Sequence, residues 1–313
     1  MALPQHDDRG QGRVPGLSSR IAGGRQSGRF HRASPPPRRR GALGRRPHQG
    51  RLTATRVGLV STTWIRHTVS ADGGIHTITL DKAPGNVIDI ALCEQLRRGI
   101  EAAAASEDAK VLILRGSGKH FSFGASVEEH LPDKAPEMLA ALGGVIRDLI
   151  GFPYPTVAGV QGRCLGGGLE LVLACGIVIA EASATLASPE IQLGVLPPAA
   201  IALLSGRAAE DIVLTGRSLT ATEARRIGIV NVIAADGDLD ATIDTFVTKH
   251  FVPRSALSLR MATRAVRESR RAEIESRLDE TERFYVEELL TTHDGVEGIR
   301  AFMEKRPPVW RNA

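Results

Sequence analysis

Apolar and polar positions keep two periods from residue 74 onward. Ile75, Ile78 and Leu80 sit in a six-residue run that alternates with His76, Thr77 and Thr79, as a half-buried strand does. Ile88, Leu92, Leu96 and Ile100 then fall on one helical stripe. Residues 110–114 form a continuous apolar strand, and Met138, Leu142, Val145 and Leu149 mark the next helix. Residues 156–160 read as a third strand, followed by a glycine turn and a further apolar helix. This repeated strand-then-helix rhythm predicts an α/β fold with a parallel-type sheet covered by helices. Beyond about residue 205 the pattern is mainly helical, with segments at 223–227, 241–250, 256–268 and 272–290 and one short strand at 229–233.

Composition changes this picture at the N-terminus only. The first 60 residues carry 13 Arg, no Lys and two acids, Asp7 and Asp8, together with 10 Gly and 6 Pro, and neither period is present. The expectation is a disordered Arg-rich extension over 1–62, read as sequence upstream of the folded start. Pro35, Pro36 and Pro37 break the amphipathic helix that an import signal needs. Phe30 is the segment's only aromatic, so a nucleic-acid partner is not expected. The remaining 253 residues hold 27 bases against 33 acids, so the formal charge of +5 belongs to the extension and the body is acidic. The longest apolar stretch, 169–180, is too short to span a bilayer. Cys93, Cys164 and Cys175 lack ligand spacing and read as reduced thiols of a cytoplasmic protein.

Phosphate-loop, serine-elbow, zinc and dinucleotide signatures are all missing. Three loops, each after a strand, remain. The first contains Phe121, Ser122, Phe123, Gly124, Ala125 and Ser126. The second runs from Gly162 to Glu170 and holds three consecutive glycines, Gly166 to Gly168, between a strand and a helix, where exposed amides suit an oxyanion. The third spans 187–194 and places Glu190 directly after Pro189. Taken singly, each is as well explained by a turn or by tight packing.

In this order and at these spacings, the FGA, GGGxE and PEIxLG motifs resemble the enoyl-CoA hydratase/isomerase, or crotonase, superfamily over about residues 64–313. The resemblance implies a spiral core of ββα repeats over 63–255 and a C-terminal helical region over 256–313 that mediates trimerisation. It also implies an acyl-CoA thioester substrate, a homotrimer or dimer of trimers, and no metal or cofactor beyond the coenzyme A of the substrate. The family's oxyanion-hole amides fall on Ala125 and Gly167, and its two hydrating carboxylates on Glu170 and Glu190. A place in the first helical turn favours the Glu170 anion. CoA contacts fall on Ser122, Phe123 and Lys305, and the acyl pocket on Pro197, Pro198 and Ala199. Common short-chain hydratases often carry a PGxGG segment after PEIxLG and an Asp after FGA; this chain has Leu196-Pro197-Pro198-Ala199-Ala200 and Ser126. With GRCLGGGLEL, those departures look like the cyclohexa-1,5-dienecarbonyl-CoA hydratases, which add water 1,4 across a ring diene to give the 6-hydroxycyclohexene thioester in anaerobic benzoyl-CoA degradation. The alternatives are an aliphatic enoyl-CoA hydratase, an enoyl-CoA isomerase, or a non-catalytic binder working through the arginine extension. Intact Glu170 and Glu190 argue against the last. His130, Glu128 and Glu129 read as a solvated helix start, Arg147 and Asp148 as a wet helix face, and His293 has no assigned role.

Overall fold

The computed structural model describes residues 64–313, so the extension expected over 1–62 lies outside the described residues. In chain order the strands are β1 (Ile65–Val69), β2 (Ile75–Leu80), β3 (Val111–Gly116), β4 (Thr156–Val160), β5 (Arg163–Leu165), β6 (Ile177–Glu181), β7 (Thr185–Ala187), β8 (Leu219–Thr220) and β9 (Val232–Ala234). The helices are α1 (Ile90–Ala104), α2 (Ala135–Ile150), α3 (Gly167–Ala174), α4 (Pro198–Leu203), α5 (Gly206–Thr215), α6 (Ala221–Arg226), α7 (Leu239–His250), α8 (Ala256–Glu287) and α9 (His293–Met303). The main sheet has the order β1-β2-β3-β4-β6-β9, antiparallel at β1–β2 and parallel elsewhere; β5, β7 and β8 form a second, small sheet.

The central strands are apolar through their middles because both faces are covered, with polar residues such as Thr156, Arg115 and Glu181 only at or near their ends. Leu112, Leu114, Ala158 and Val160 pack in one core with Leu92, Leu96, Val145 and Leu149 of α1 and α2. Val111, Ile113, Val157 and Ile179 face the other way, onto Leu239, Ile243 and Val247 of α7. The pleat alone produces this division, since adjacent side chains of a strand point to opposite faces.

The C-terminal segments expected as two helices are one. α8 runs unbroken for 32 residues, about 48 Å at the usual rise per residue. The charges of 268–271 interrupt its apolar stripe, but neither Gly nor Pro is present to stop it. Its Arg267 binds the carbonyls of Leu149 and Phe152 at the end of α2 and the hydroxyl of Thr156. Leu278 enters the main core, while Tyr285, Leu290 and Ile299 join a third cluster with Met138, Leu139 and Val195. Among the described residues no helix is long and apolar enough to cross a membrane.

On the hairpin, His67 Nε2 and His76 Nδ1 are 3.0 Å apart, and His76 Nε2 is buried with no protein partner. Burial holds both rings below the ordinary histidine value, and His76 lowers His67 further. The unfolded chain therefore takes up protons near pH 6.5 that the fold refuses, so stability is lost as pH falls below that value. Between pH 7 and 5.5 the wild type is expected to lose about 2 to 4 °C more in Tm than H76F, read by thermal unfolding at both pH values. Equal losses would contradict this account of the pair.

Candidate active site

The chain leaves the main sheet after β4 and starts the small sheet at β5, and this exit brings the three loops together. Ser122 bridges to Cys164 on β5, and Ala125 bridges to Ile88 just before α1. The first loop is thus stitched on both sides: Phe123 N donates to Gly85 O, Ile88 N to Gly124 O and Leu165 N to Ser122 O. Asn86, 2% exposed and at φ +51°, reinforces the loop by donating through Nδ2 to the carbonyls of Ser117, His120 and Phe121. Sequence reasoning missed Asn86; the Pro-Gly-Asn turn signal at 84–86 was the available clue.

Ala125 and Gly167 are neighbours. A Cβ built on Gly167 would lie 3.2 Å from Ala125 N. Gly167 is the first residue of α3, so its amide has no acceptor within the helix. Among the described residues neither of these two amides donates to a protein acceptor. Gly166 has φ +50°, and a Cβ there would fall 2.6 Å from Glu190 Oε1. Gly124, at φ +98°, lies against Leu165 O in the same way, at 2.9 Å.

Each glutamate has one oxygen anchored. Glu170, on α3 and 3% exposed, accepts at Oε1 from Ala199 N at 2.8 Å and Ala200 N at 3.0 Å. Those are the first free amides of α4, because Pro197 and Pro198 have none to offer. Glu190 accepts at Oε2 from Ser188 Oγ at 2.7 Å, and Ser188 is fully buried. Among the described residues, Glu170 Oε2 and Glu190 Oε1 have no hydrogen-bond partner. Burial raises the pKa of Glu170, the charge of Glu190 raises it further, and the two amides oppose this without winning. The first-turn position was expected to favour the anion; desolvation outweighs it. Burial also raises Glu190, against the Ser188 bond. The two titrate together, and two desolvated carboxylates repelling one another favour the state that holds a single proton.

Both glutamates line a cleft of about 390 Å³ together with Ala125, Gly167, Pro197 and Pro198. Its walls include Val127, Met138, Leu139, Leu142 and Leu196. Phe123, 39% exposed, stands at the cleft with its ring over Gly85. Two expected CoA contacts are not brought there. Ser122 is fully buried, and its hydroxyl donates to Asn86 O and accepts from Gly124 N, so it braces the loop. Lys305 is exposed at φ +54° outside the cleft lining, whereas the adjacent Arg306 is in it, paired with Glu297 and Glu304. Ala199 is buried behind the wall and contributes its amide to Glu170 instead. His130, read from sequence as solvated, lines the cleft. Glu129 accepts from Ile90 N at the start of α1, and Glu128 pairs with Lys134 in solvent. Among the described residues no group of three or more His, Cys, Asp or Glu side chains is placed to hold a metal.

The sequence profile of the enoyl-CoA hydratase/isomerase family matches residues 70–313. The cyclohexa-1,5-dienecarbonyl-CoA hydratase of Thauera aromatica is 39% identical over 245 residues, 77% of this chain and 94% of that protein. The 2,3-dehydroadipyl-CoA hydratase of Escherichia coli is 32% identical over 255 residues, 77% of this chain and 96% of that protein. Among solved structures, an enoyl-CoA hydratase from Mycobacterium avium superposes with a TM-score of 0.66 at 28% identity, covering 79% of this chain and 98% of that one. With the mixed α/β fold and the three loops meeting at one cleft, these likenesses carry one conclusion: the chain belongs to the enoyl-CoA hydratase/isomerase family and is an enzyme of the hydratase type.

Proposed function

We propose that this cleft adds water to a conjugated enoyl-CoA thioester, with cyclohexa-1,5-dienecarbonyl-CoA as the substrate and 6-hydroxycyclohexenecarbonyl-CoA as the product. One observation carries the reading: two carboxylates, Glu170 buried and Glu190 half-buried, each with one anchored and one unspent oxygen, line the same cleft as two unspent amides. Water held between Glu170 and Glu190 gives a proton to the ionised carboxylate as its oxygen bonds to the β-carbon. The thioester oxygen gains enolate charge against the Ala125 and Gly167 amides, and the protonated carboxylate returns a proton to carbon. Water is the only atom source and nothing is oxidised or reduced. Pro197 and Pro198 stiffen the acyl wall beside Leu196, which suits a flat ring, and the 39% likeness to a dienoyl-CoA hydratase supports the same substrate. The 32% likeness to 2,3-dehydroadipyl-CoA hydratase favours an open-chain acyl group as the second reading.

The test is kcat/KM for the cyclic dienoyl-CoA beside crotonyl-CoA, in the wild type and in P198G/A200G. The wild type is expected to prefer the ring. The double variant should reduce that preference about tenfold, the worth of a lost wall contact. A wild-type preference for crotonyl-CoA, or an unchanged ratio in the variant, would return the assignment to an aliphatic hydratase. The same reading takes the enzyme as a cytoplasmic homotrimer or dimer of trimers with reduced thiols. Exposed Leu257, Met261 and Val266 on α8 and free Cys93, Cys164 and Cys175 support it.

A further inference from the structure

The turn that carries Glu190 is held from behind by a segment far along the chain. Glu190 opens the 3-10 turn Glu190–Leu193, which closes on Gly194 at φ +69°. Val195 N donates back to Glu190 O, so a movement of Gly194 is passed to the Glu190 backbone. Two glycines let α9 approach this turn closely. A Cβ on Gly298 would fall 2.0 Å from Leu193 O, and one on Gly194 would fall 2.7 Å from Asp294 O, so α9 and the turn meet backbone to backbone. The Trp310 ring covers that seam on both sides. The same added Cβ atoms would lie 3.0 Å from its Cζ3 at Gly194 and 2.8 Å from its Cη2 at Gly298. Two carboxylates of α9 fasten the segment that brings the ring there. Glu297 pairs with Arg306 and accepts from Val309 N at 2.8 Å, and Asp294 accepts from Arg311 N and Asn312 N, each at 2.8 Å. The amides before and after Trp310 are thus both tied to charged acceptors, the stronger kind of hydrogen bond. Arg306, with the Val309 amide, holds Glu297 down at about 2, and the Arg311 amide holds Asp294 below the usual carboxylate range, so both clamps are anions at neutral pH. On its other side the turn is held by Gln192, which donates to Gly216 O at the end of α5.

We propose that Trp310 is a positioning residue for Glu190: its ring locks Gly194 against α9 and, through the 3-10 turn, holds the unspent Glu190 oxygen in register with that of Glu170. The inference rests on reading the cleft as a hydratase site and goes beyond it, because the indole is 43% exposed and stands outside the cleft lining. Two carboxylates that share one water tolerate little misplacement. A displacement of about 1 Å, caused far from the chemistry, can lower a rate about 10²-fold.

The test measures kcat, KM and Tm of the full chain with whichever of crotonyl-CoA and the cyclic dienoyl-CoA the wild type hydrates faster. W310A is expected to lower kcat about 10- to 100-fold with KM unchanged, the sign of a group needed in the transition state and not for binding. W310F, which keeps a flat ring on the two glycines, should recover most of that loss. In the E190Q background W310A should cost nothing further, because the group it positions has already lost its chemistry. A wild-type kcat in W310A, a loss carried by KM alone, no recovery in W310F, or the same fold loss in E190Q as in the wild type would overturn the proposal. A fall in Tm with kcat intact would overturn it too, by showing a packing role only. If W310A does not fold, D294A decides. It frees the Arg311 and Asn312 amides but keeps the indole, and it should give a smaller loss of kcat at constant KM that vanishes in E190Q; an unchanged kcat, or a loss that persists in E190Q, would overturn the proposal. E190Q alone separates the two claims. Full turnover in E190Q removes the reading of the cleft as a two-carboxylate hydratase, while a loss in E190Q with none in W310A removes only the role of Trp310.

Discussion

Replacing either Glu170 or Glu190 by Gln is expected to lower the hydration rate by about 10²- to 10⁴-fold, the usual contribution of a positioned acid or base. CoA-thioester affinity should change little. The substitution is mild in geometry. In E170Q the side-chain carbonyl oxygen could still accept from Ala199 N and Ala200 N, and in E190Q from Ser188 Oγ. What disappears is the exchangeable proton and the charge. The surviving carboxylate also escapes its neighbour's repulsion, which contributes to the raised pKa of Glu170. In E190Q the residual rate should therefore show the Glu170 titration displaced toward acid relative to the wild type. Steady-state rates across pH, with affinities from titration of a saturated acyl-CoA, check both statements. Near-wild-type turnover in either variant would contradict the two-carboxylate mechanism.

Gly167→Ala should cost nearly as much with no new charge or polar group. Its Cβ would lie 3.2 Å from Ala125 N, 3.3 Å from Ala125 Cβ and 3.2 Å from Leu142 Cδ2. Those distances force a shift of a few tenths of an ångström between the two amides proposed to share the thioester oxygen. Losing one such donor typically lowers kcat about 10²- to 10³-fold. Gly167 is the first residue of a helix and its φ lies outside the left-handed region. Alanine is the better helix former by up to about 1 kcal/mol, so Tm should hold or rise slightly. A large fall in kcat at constant Tm is the expected pair of results. Unchanged kcat would remove Gly167 from the oxyanion site, and a large loss of Tm would show its role to be packing.

The central strands, α1, α2 and α7 were legible because burial on one or two faces writes a period of 3.6 or 2.0 directly into the sequence. Short elements were not: β5, β7 and β8 have two or three residues each, too few to express a period. The continuity of α8 was hidden because exposed charges at 268–271 broke the apolar stripe without breaking the helix. At the site, the motif glycines and Glu170 and Glu190 stood out as local patterns, but their partners lie far along the chain. Ala199 and Ala200 reach Glu170 across 29 and 30 residues, and Asn86 reaches Phe121 across 35. Ser122 and His130 show the same gap. The family resemblance made the first a ligand contact and local composition made the second a solvated residue, whereas packing buries the Ser122 hydroxyl and turns His130 into cleft wall. The charge preference of Glu170 failed for a related reason, since helix position is visible in sequence and desolvation is not.

The most direct measurement of the central claim is to incubate the enzyme with cyclohexa-1,5-dienecarbonyl-CoA in ¹⁸O-labelled water and follow the acyl-CoA by mass spectrometry. The account predicts a product heavier by one molecule of labelled water, formed by the wild type and strongly slowed in E170Q and E190Q. A product of unchanged mass, formed by moving a double bond without taking up water, would contradict it and make the two carboxylates the machinery of an isomerase.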